Sequence, residues 1–187
     1  MILKLNKIGL IICLFLIPSA KSAERLFLYQ GTFSRVINIK DLSEFKNSGK
    51  ASPKLNNLIK ITNQNEKNLY KVLSYEIDIP LRGSSKLMNS KIGEVFLSRL
   101  SKIIYPNKIS NKNIGTKAIR SGILLGSYKN NQKINLIEFF KAYPNRDVAI
   151  DLKALRKALK KAESLKELIE FFSDSPFKKL KDGSSRI

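Results

Sequence analysis

Residues 114–128 read Ile-Gly-Thr-Lys-Ala-Ile-Arg-Ser-Gly-Ile-Leu-Leu-Gly-Ser-Tyr. From Ala118 to Gly126 apolar and small side chains cover nearly the whole circumference of a helix, the pattern of a helix buried at the centre of a domain. Ala118, Gly122 and Gly126 recur every four residues, so they share one face and form a smooth ridge on which another helix packs closely. The competing reading is a membrane dimerisation face. Arg120 interrupts it, and the run is far short of the roughly 20 apolar residues a span requires.

Outward from this helix the chain reads as further short elements. Glu24–Tyr29 and Phe33–Ile39 alternate around Gly31-Thr32, a β-hairpin signal. Asp41 starts a short helix that Gly49 ends. Ser52-Pro53 is an N-cap with proline at N1, opening a helix with Leu55, Leu58 and Ile59 inward. Thr62 is expected to cap another, carrying Leu69, Val72 and Leu73. Glu76–Pro80 alternates as a short extended piece. Ser90 caps a helix whose expected buried stripe is Ile92, Val95, Phe96, Leu100 and Ile103, stopped by Tyr105-Pro106. Asn135 caps a helix with Leu136, Phe139 and Phe140, ended by Pro144, and Val148–Ile150 is extended. Asp151 caps a helix with Leu152, Leu155 and Leu159 inward, and Ser164 caps a last one. The expected fold is mostly α: a compact multi-helix domain with an N-terminal β-hairpin and one or two further short strands.

The first 22 residues read as a secretory signal peptide. Lys4 and Lys7 form a basic region, Ile8–Ile17 is an apolar stretch broken at Pro18, and Ala20 and Ser22 supply small residues before the cut. The alternative is an uncleaved anchor. Cys13, the one cysteine, lies in the apolar stretch after Ile12 and lacks a lipobox. The expected organisation is a signal peptide at 1–22, one helical domain at 23–173 and a flexible basic tail at 174–187. The protein is expected to be exported, to periplasm or thylakoid lumen, and soluble after cleavage.

Net charge is +20, and losing Lys4, Lys7 and Lys21 with the leader leaves +17. This excess reads either as affinity for an anionic partner or as compositional drift toward Lys, Asn and Ile. Lysine outnumbers arginine 27 to 8, whereas dedicated phosphate recognition leans on arginine forks. Export disfavours nucleic acid.

The run Ala23-Glu24-Arg25-Leu26-Phe27-Leu28-Tyr29-Gln30-Gly31, continued by Ile39, Leu42, Phe45 and Gly49, resembles a cyanobacterial family, domain of unknown function 1400. The likeness returns at Ile92-Gly93-Glu94 with Leu97 and Leu100. It continues at Ala118-Ile119-Arg120-Ser121-Gly122-Ile123-Leu124, then Phe139, Phe140, Pro144 and Ile150-Asp151-Leu152. It covers roughly residues 23–155. In many members this domain precedes an α/β-hydrolase domain, so the resemblance implies a cyanobacterial source and an extracytoplasmic, mostly helical module. It transfers no catalytic residue, because the hydrolase part has no counterpart in this sequence.

The chemistry-bearing residues agree. The chain has no histidine, which removes the usual general base and most zinc sites. There is no Gly-x-Ser-x-Gly nucleophile elbow. Ser-x-x-Lys occurs at Ser43/Lys46 and Ser175/Lys178, no more often than the serine and lysine counts produce by chance. Glu76 and Asp78 share a strand face, either a carboxylate pair or a solvated edge. No catalytic residue, cofactor or metal is assigned, and the chain is read as a non-enzyme. One binding surface is a candidate: Lys153, Arg156, Lys157, Lys160 and Lys161, gathered opposite the leucines of their helix. The first expectation is an accessory module that binds another protein, including a separately encoded α/β-hydrolase. The alternative is peripheral binding to anionic membrane through this basic amphipathic helix.

Overall fold

The computed structural model describes residues 22–62, 65–109 and 112–161. The expected signal peptide up to Lys21, the helix expected after Ser164, the expected basic tail and the Ser175/Lys178 pair lie outside the described residues. The elements in order are β1 (Arg25–Gln30), β2 (Phe33–Asn38), α1 (Ile39–Ser48), α2 (Pro53–Ile61), α3 (Glu66–Ser74), β3 (Ile77–Asp78), α4 (Leu81–Met88), α5 (Lys91–Leu100), β4 (Ile104–Pro106), α6 (Lys112–Lys129), β5 (Lys133–Ile134), α7 (Leu136–Ala142), β6 (Asp147–Asp151) and α8 (Leu152–Lys161). The fold is mostly helical with an N-terminal hairpin and further short strands.

Gly31 takes φ 63° at the turn between β1 and β2, a left-handed conformation that glycine adopts without steric cost. The hairpin is the starting half of a four-stranded sheet of order β2-β1-β6-β4. Strand β6 pairs parallel to β1 and antiparallel to β4. Leu26 stands opposite Ile37 on one side and Val148 on the other, and all three are buried, so this face of the sheet floors the core. A second, two-stranded sheet joins β3 to β5.

Glu24 and Arg25 are stitched to the start of β6. The Glu24 and Arg25 amides donate to the Arg146 carbonyl at 2.9 and 3.1 Å, and the Ile39 amide donates to the Glu24 carbonyl at 2.9 Å. Arg25 grips Asp147 bidentately at 2.7 Å through each of two nitrogens, and Arg146 reaches Glu24 at 2.6 Å. This paired arrangement holds the Arg25 guanidinium above its ordinary pKa, chiefly by the hydrogen bond to Asp147. Ala23 itself is buried.

Helix ends follow local chemistry. Ser52 Oγ accepts from the Leu55 amide at 3.3 Å, Ser90 Oγ from Gly93 at 3.2 Å, Asn135 Oδ1 from Glu138 at 3.1 Å and Asp151 Oδ1 from Ala154 at 2.9 Å. Each satisfies an amide that the first turn leaves without a helical partner. Gly49 closes α1 at φ 70°, its amide donating to the Phe45 carbonyl at 2.8 Å.

Thr62 does not cap the following helix. It ends α2, with its amide and hydroxyl both donating to the Leu58 carbonyl, at 2.9 and 2.8 Å, and Asn65 caps α3 instead. On α5 the buried stripe follows the expected one in part: Phe96 and Leu100 pack against the core as expected. Gly93 and Leu97 face inward, while Ile92 and Val95 are 76% and 54% exposed. The reason is close backbone packing. A Cβ at residue 93 would clash with the Leu87 carbonyl and stand 2.7 Å from Met88 Cα, so only glycine lets α5 meet the end of α4. Helix α4 itself escapes the sequence signals, because Arg82-Gly83-Ser84-Ser85 are modest helix formers placed after Pro80. Tyr105-Pro106 does more than stop α5: it belongs to edge strand β4, a place where a proline costs no ladder hydrogen bond.

Helix α6 is central, packed against α4, α5, α7, β4 and β5. Its small-residue ridge faces α7 and β5, with Gly122 under the Phe139 ring and Gly126 against Ile134 and the Glu138 carbonyl. It is not buried all round: Ile114, Leu125 and Tyr128 are exposed on its outer side.

Candidate functional site

The groups that carry chemistry elsewhere are dispersed here. Ser43 and Lys46 lie on α1 and make no hydrogen bond to each other. Glu76 and Asp78 are exposed, with Ile77 and Ile79 turned toward the core, a solvated edge. Among the described residues no group of three or more Cys, Asp or Glu is placed to hold a metal ion. Tyr29 donates to Asn107 Oδ1 at 2.9 Å on the outer face of the sheet. Burial, then the nearby charge of Asp151, raises the Tyr105 pKa there. Tyr143 is fully buried beside Phe139, and burial alone pushes its phenol far above the usual range. Both tyrosines are therefore held neutral, unsuited to act as bases.

A concave surface lies among the described residues where the hairpin outruns the core. The sheet face that buries Leu26 and Ile37 continues outward through Leu28 opposite Arg35, then Gln30 opposite Phe33. All four line a groove closed by Leu58, Ile61 and Thr62 at the end of α2 and by Leu152 and Arg156 of α8, enclosing about 460 Å³. That is the size of a small-ligand site, which typically spans roughly 300–1,000 Å³. Its rim is apolar and open, with Phe33 79% and Ile61 59% exposed.

The same rim is cationic. Arg35 and Arg156 are exposed, as are Lys153 and Lys157. Arg25, Arg120 and Arg146 are paired with carboxylates, whereas none of these four meets an acidic group among the described residues. At about 100° per residue, Arg156 stands about 40° round the helix from Leu152, with Lys153 and Lys157 beyond it. The candidate cations thus divide: Arg156 lines the groove, and Lys153 and Lys157 flank it on the helix surface. The side chains of Leu159, Lys160 and Lys161 lie outside the described residues. Leu152 and Leu155 are only half-buried, short of the inward burial expected for them. Helix α8 packs on β1 and β6. Phe33, Arg35 and Ile61 have no signature in the sequence as site residues, since only the juxtaposition of hairpin, α2 and α8 brings them together.

Among the described residues, then, this is a mostly helical module with an apolar, cation-rimmed groove and no assembled nucleophile–base pair. The chain belongs to the family described as alpha/beta hydrolase of unknown function (domain of unknown function 1400), which matches residues 22–151. The match begins at the first described residue and stops at Asp151, immediately before basic helix α8. Neither a curated protein nor a solved structure matches the chain. No helix among the described residues is long and apolar enough to cross a membrane.

Proposed function

We propose that this is an exported, non-catalytic module that docks its hairpin–α8 end onto an anionic membrane surface. The observation that carries the reading is the pairing of exposed apolar tips, Phe33 and Ile61, with the cations Arg35, Lys153, Arg156 and Lys157, unpaired among the described residues, around one groove. A membrane interface rewards both at once. Each cation near an anionic surface contributes about 1 kcal/mol, screened by salt. Burying a phenylalanine contributes roughly 1.5–3 kcal/mol, which salt does not screen. The test is sedimentation with phosphatidylglycerol/phosphatidylcholine vesicles against phosphatidylcholine alone. Binding should require the anionic lipid, weaken from low to physiological salt, and fall in Phe33→Ser and in Lys153→Gln/Lys157→Gln. Absence of binding at both salt concentrations overturns the proposal.

A second reading is favoured by a different surface. The family's hydrolase description and the exposed Ile92 and Val95 on α5 suit an accessory module that binds a partner protein, such as a separately encoded α/β-hydrolase. Loss of a co-purifying hydrolase on Ile92→Asp, with vesicle binding unchanged, would support it. An esterase panel tests both readings, since each expects no turnover above background.

A further inference from the structure

We propose that the groove accepts a single anionic phospholipid, its acyl chain against Leu28, Leu58 and Ile61 and its phosphodiester between Arg35 and Arg156. The inference rests on the membrane-docking reading and names the ligand within that surface. The docking reading needs only exposed cations and an apolar tip. The groove offers more: a cavity of about 460 Å³, continuous with the core face of the sheet. Its walls differ along their length. Inward, Leu28 is half-buried and packs against the core, as does Leu58. Outward, Phe33 and Ile61 form an open apolar mouth.

The two cations reach this cavity from different elements. Arg35 comes from β2, cross-strand from Leu28, and Arg156 comes from α8, one turn beyond Leu152. Neither has a carboxylate partner among the described residues, so each fork is available to an incoming anion. Guanidinium forks match a phosphodiester in geometry and are more weakly hydrated than lysine ammonium, which suits them to a partly apolar rim. The chain's cations are mostly lysine, yet both cations lining the groove are arginine. An anionic head group with an attached hydrocarbon chain complements both features. A free phosphate ester leaves the apolar walls wet, and phosphatidylcholine, which carries the same phosphodiester, also brings a trimethylammonium cation against the two arginines.

The probe is dihexanoyl phosphatidylglycerol below its micelle concentration, titrated calorimetrically into the purified protein. Dihexanoyl phosphatidylcholine and glycerophosphoglycerol serve as comparisons. The expected result is one saturable site for the anionic lipid, with both comparisons much weaker. Arg35→Gln and Arg156→Gln should each weaken affinity about tenfold or more, as expected for a lost hydrogen bond to a charged group. Both positions are exposed, so folding should be unchanged by circular dichroism. Lys153→Gln/Lys157→Gln should leave this affinity alone while reducing vesicle binding. Vesicle binding without a saturable site for the short-chain lipid overturns the groove proposal and leaves membrane docking standing. A saturable site without vesicle binding does the reverse. Equal affinity for the phosphatidylcholine lipid, or affinity unchanged by both arginine variants, also overturns it.

Discussion

The Phe139 ring lies directly over Gly122: a Cβ at residue 122 would stand 2.9 Å from Phe139 Cε2 and 3.4 Å from the Phe139 carbonyl. Phe139 is buried and stacked edge-on against Phe140 and Tyr143, so the ring cannot swing aside freely. Gly122→Leu should therefore lower stability by about 1–3 kcal/mol or more through overpacking. On an exposed helix face glycine replacement would instead stabilise, by roughly 0.5–1 kcal/mol for alanine. A raised thermal midpoint in Gly122→Leu would disprove the contact.

Gly93 is predicted to be less tolerant still. A Cβ there meets the backbone of α4 at Leu87 and Met88, whereas at Gly122 it meets a side-chain ring. Backbone cannot rotate away. Gly93→Ala should cost more than Gly122→Ala, and urea midpoints of the two variants decide the order.

The buried stripe of α5 makes a sharp contrast between neighbours. Leu97 is fully buried and Ile92 is 76% exposed. Leu97→Ala should cost about 2–5 kcal/mol, and Ile92→Ser should stay within about 0.5 kcal/mol of the parent. Comparable losses at both positions would restore the stripe expected from periodicity.

Tyr143 predicts a dependence on alkaline pH. Its pKa is raised by burial, so the folded chain keeps the phenol neutral while the unfolded chain ionises it near its ordinary value of about 10. The contribution is fully present below that value, and stability falls as pH rises through and beyond it. Tyr143→Phe should flatten that fall. It also removes a buried hydroxyl that has no hydrogen-bond partner among the described residues, which should gain about 1 kcal/mol at neutral pH. Chemical denaturation of both proteins at neutral and alkaline pH checks the slope and the offset together.

The stitched N-terminus bears on processing. Ala23 is 5% exposed and belongs to the core, directly before the amides that bond to Arg146. A cut after Ser22 keeps that methyl in place, and a cut after Ala23 discards about 0.8 kcal/mol of burial. We expect the exported form to begin at Ala23. Intact-mass measurement of the native protein reads this directly, and retention of Met1–Cys13 would refute it.

What the sequence determined by itself was local. Ser52, Ser90, Asn135 and Asp151 cap helices because a short polar side chain meets amides only two or three residues away. The hairpin was legible because Gly31 sits between two alternating runs, and the ridge at Gly122 because small residues at helical spacing share one face whatever lies opposite. The binding candidate was legible in part, as a cationic face on the helix after Asp151. Tertiary structure decided the rest. Val148–Ile150 was readable as extended, but not as the strand that lies parallel to β1 across more than a hundred residues. Ile92 and Val95 were apolar at the right spacing, yet the close approach of α4 at Gly93 turned them to solvent. Phe33 and Arg35 of the hairpin are far in the chain from Ile61 and Arg156 and meet them only at the end of the sheet. Periodicity and capping report interactions within a few residues, whereas the face a helix buries and the cavity several elements enclose depend on partners that the local sequence does not contain.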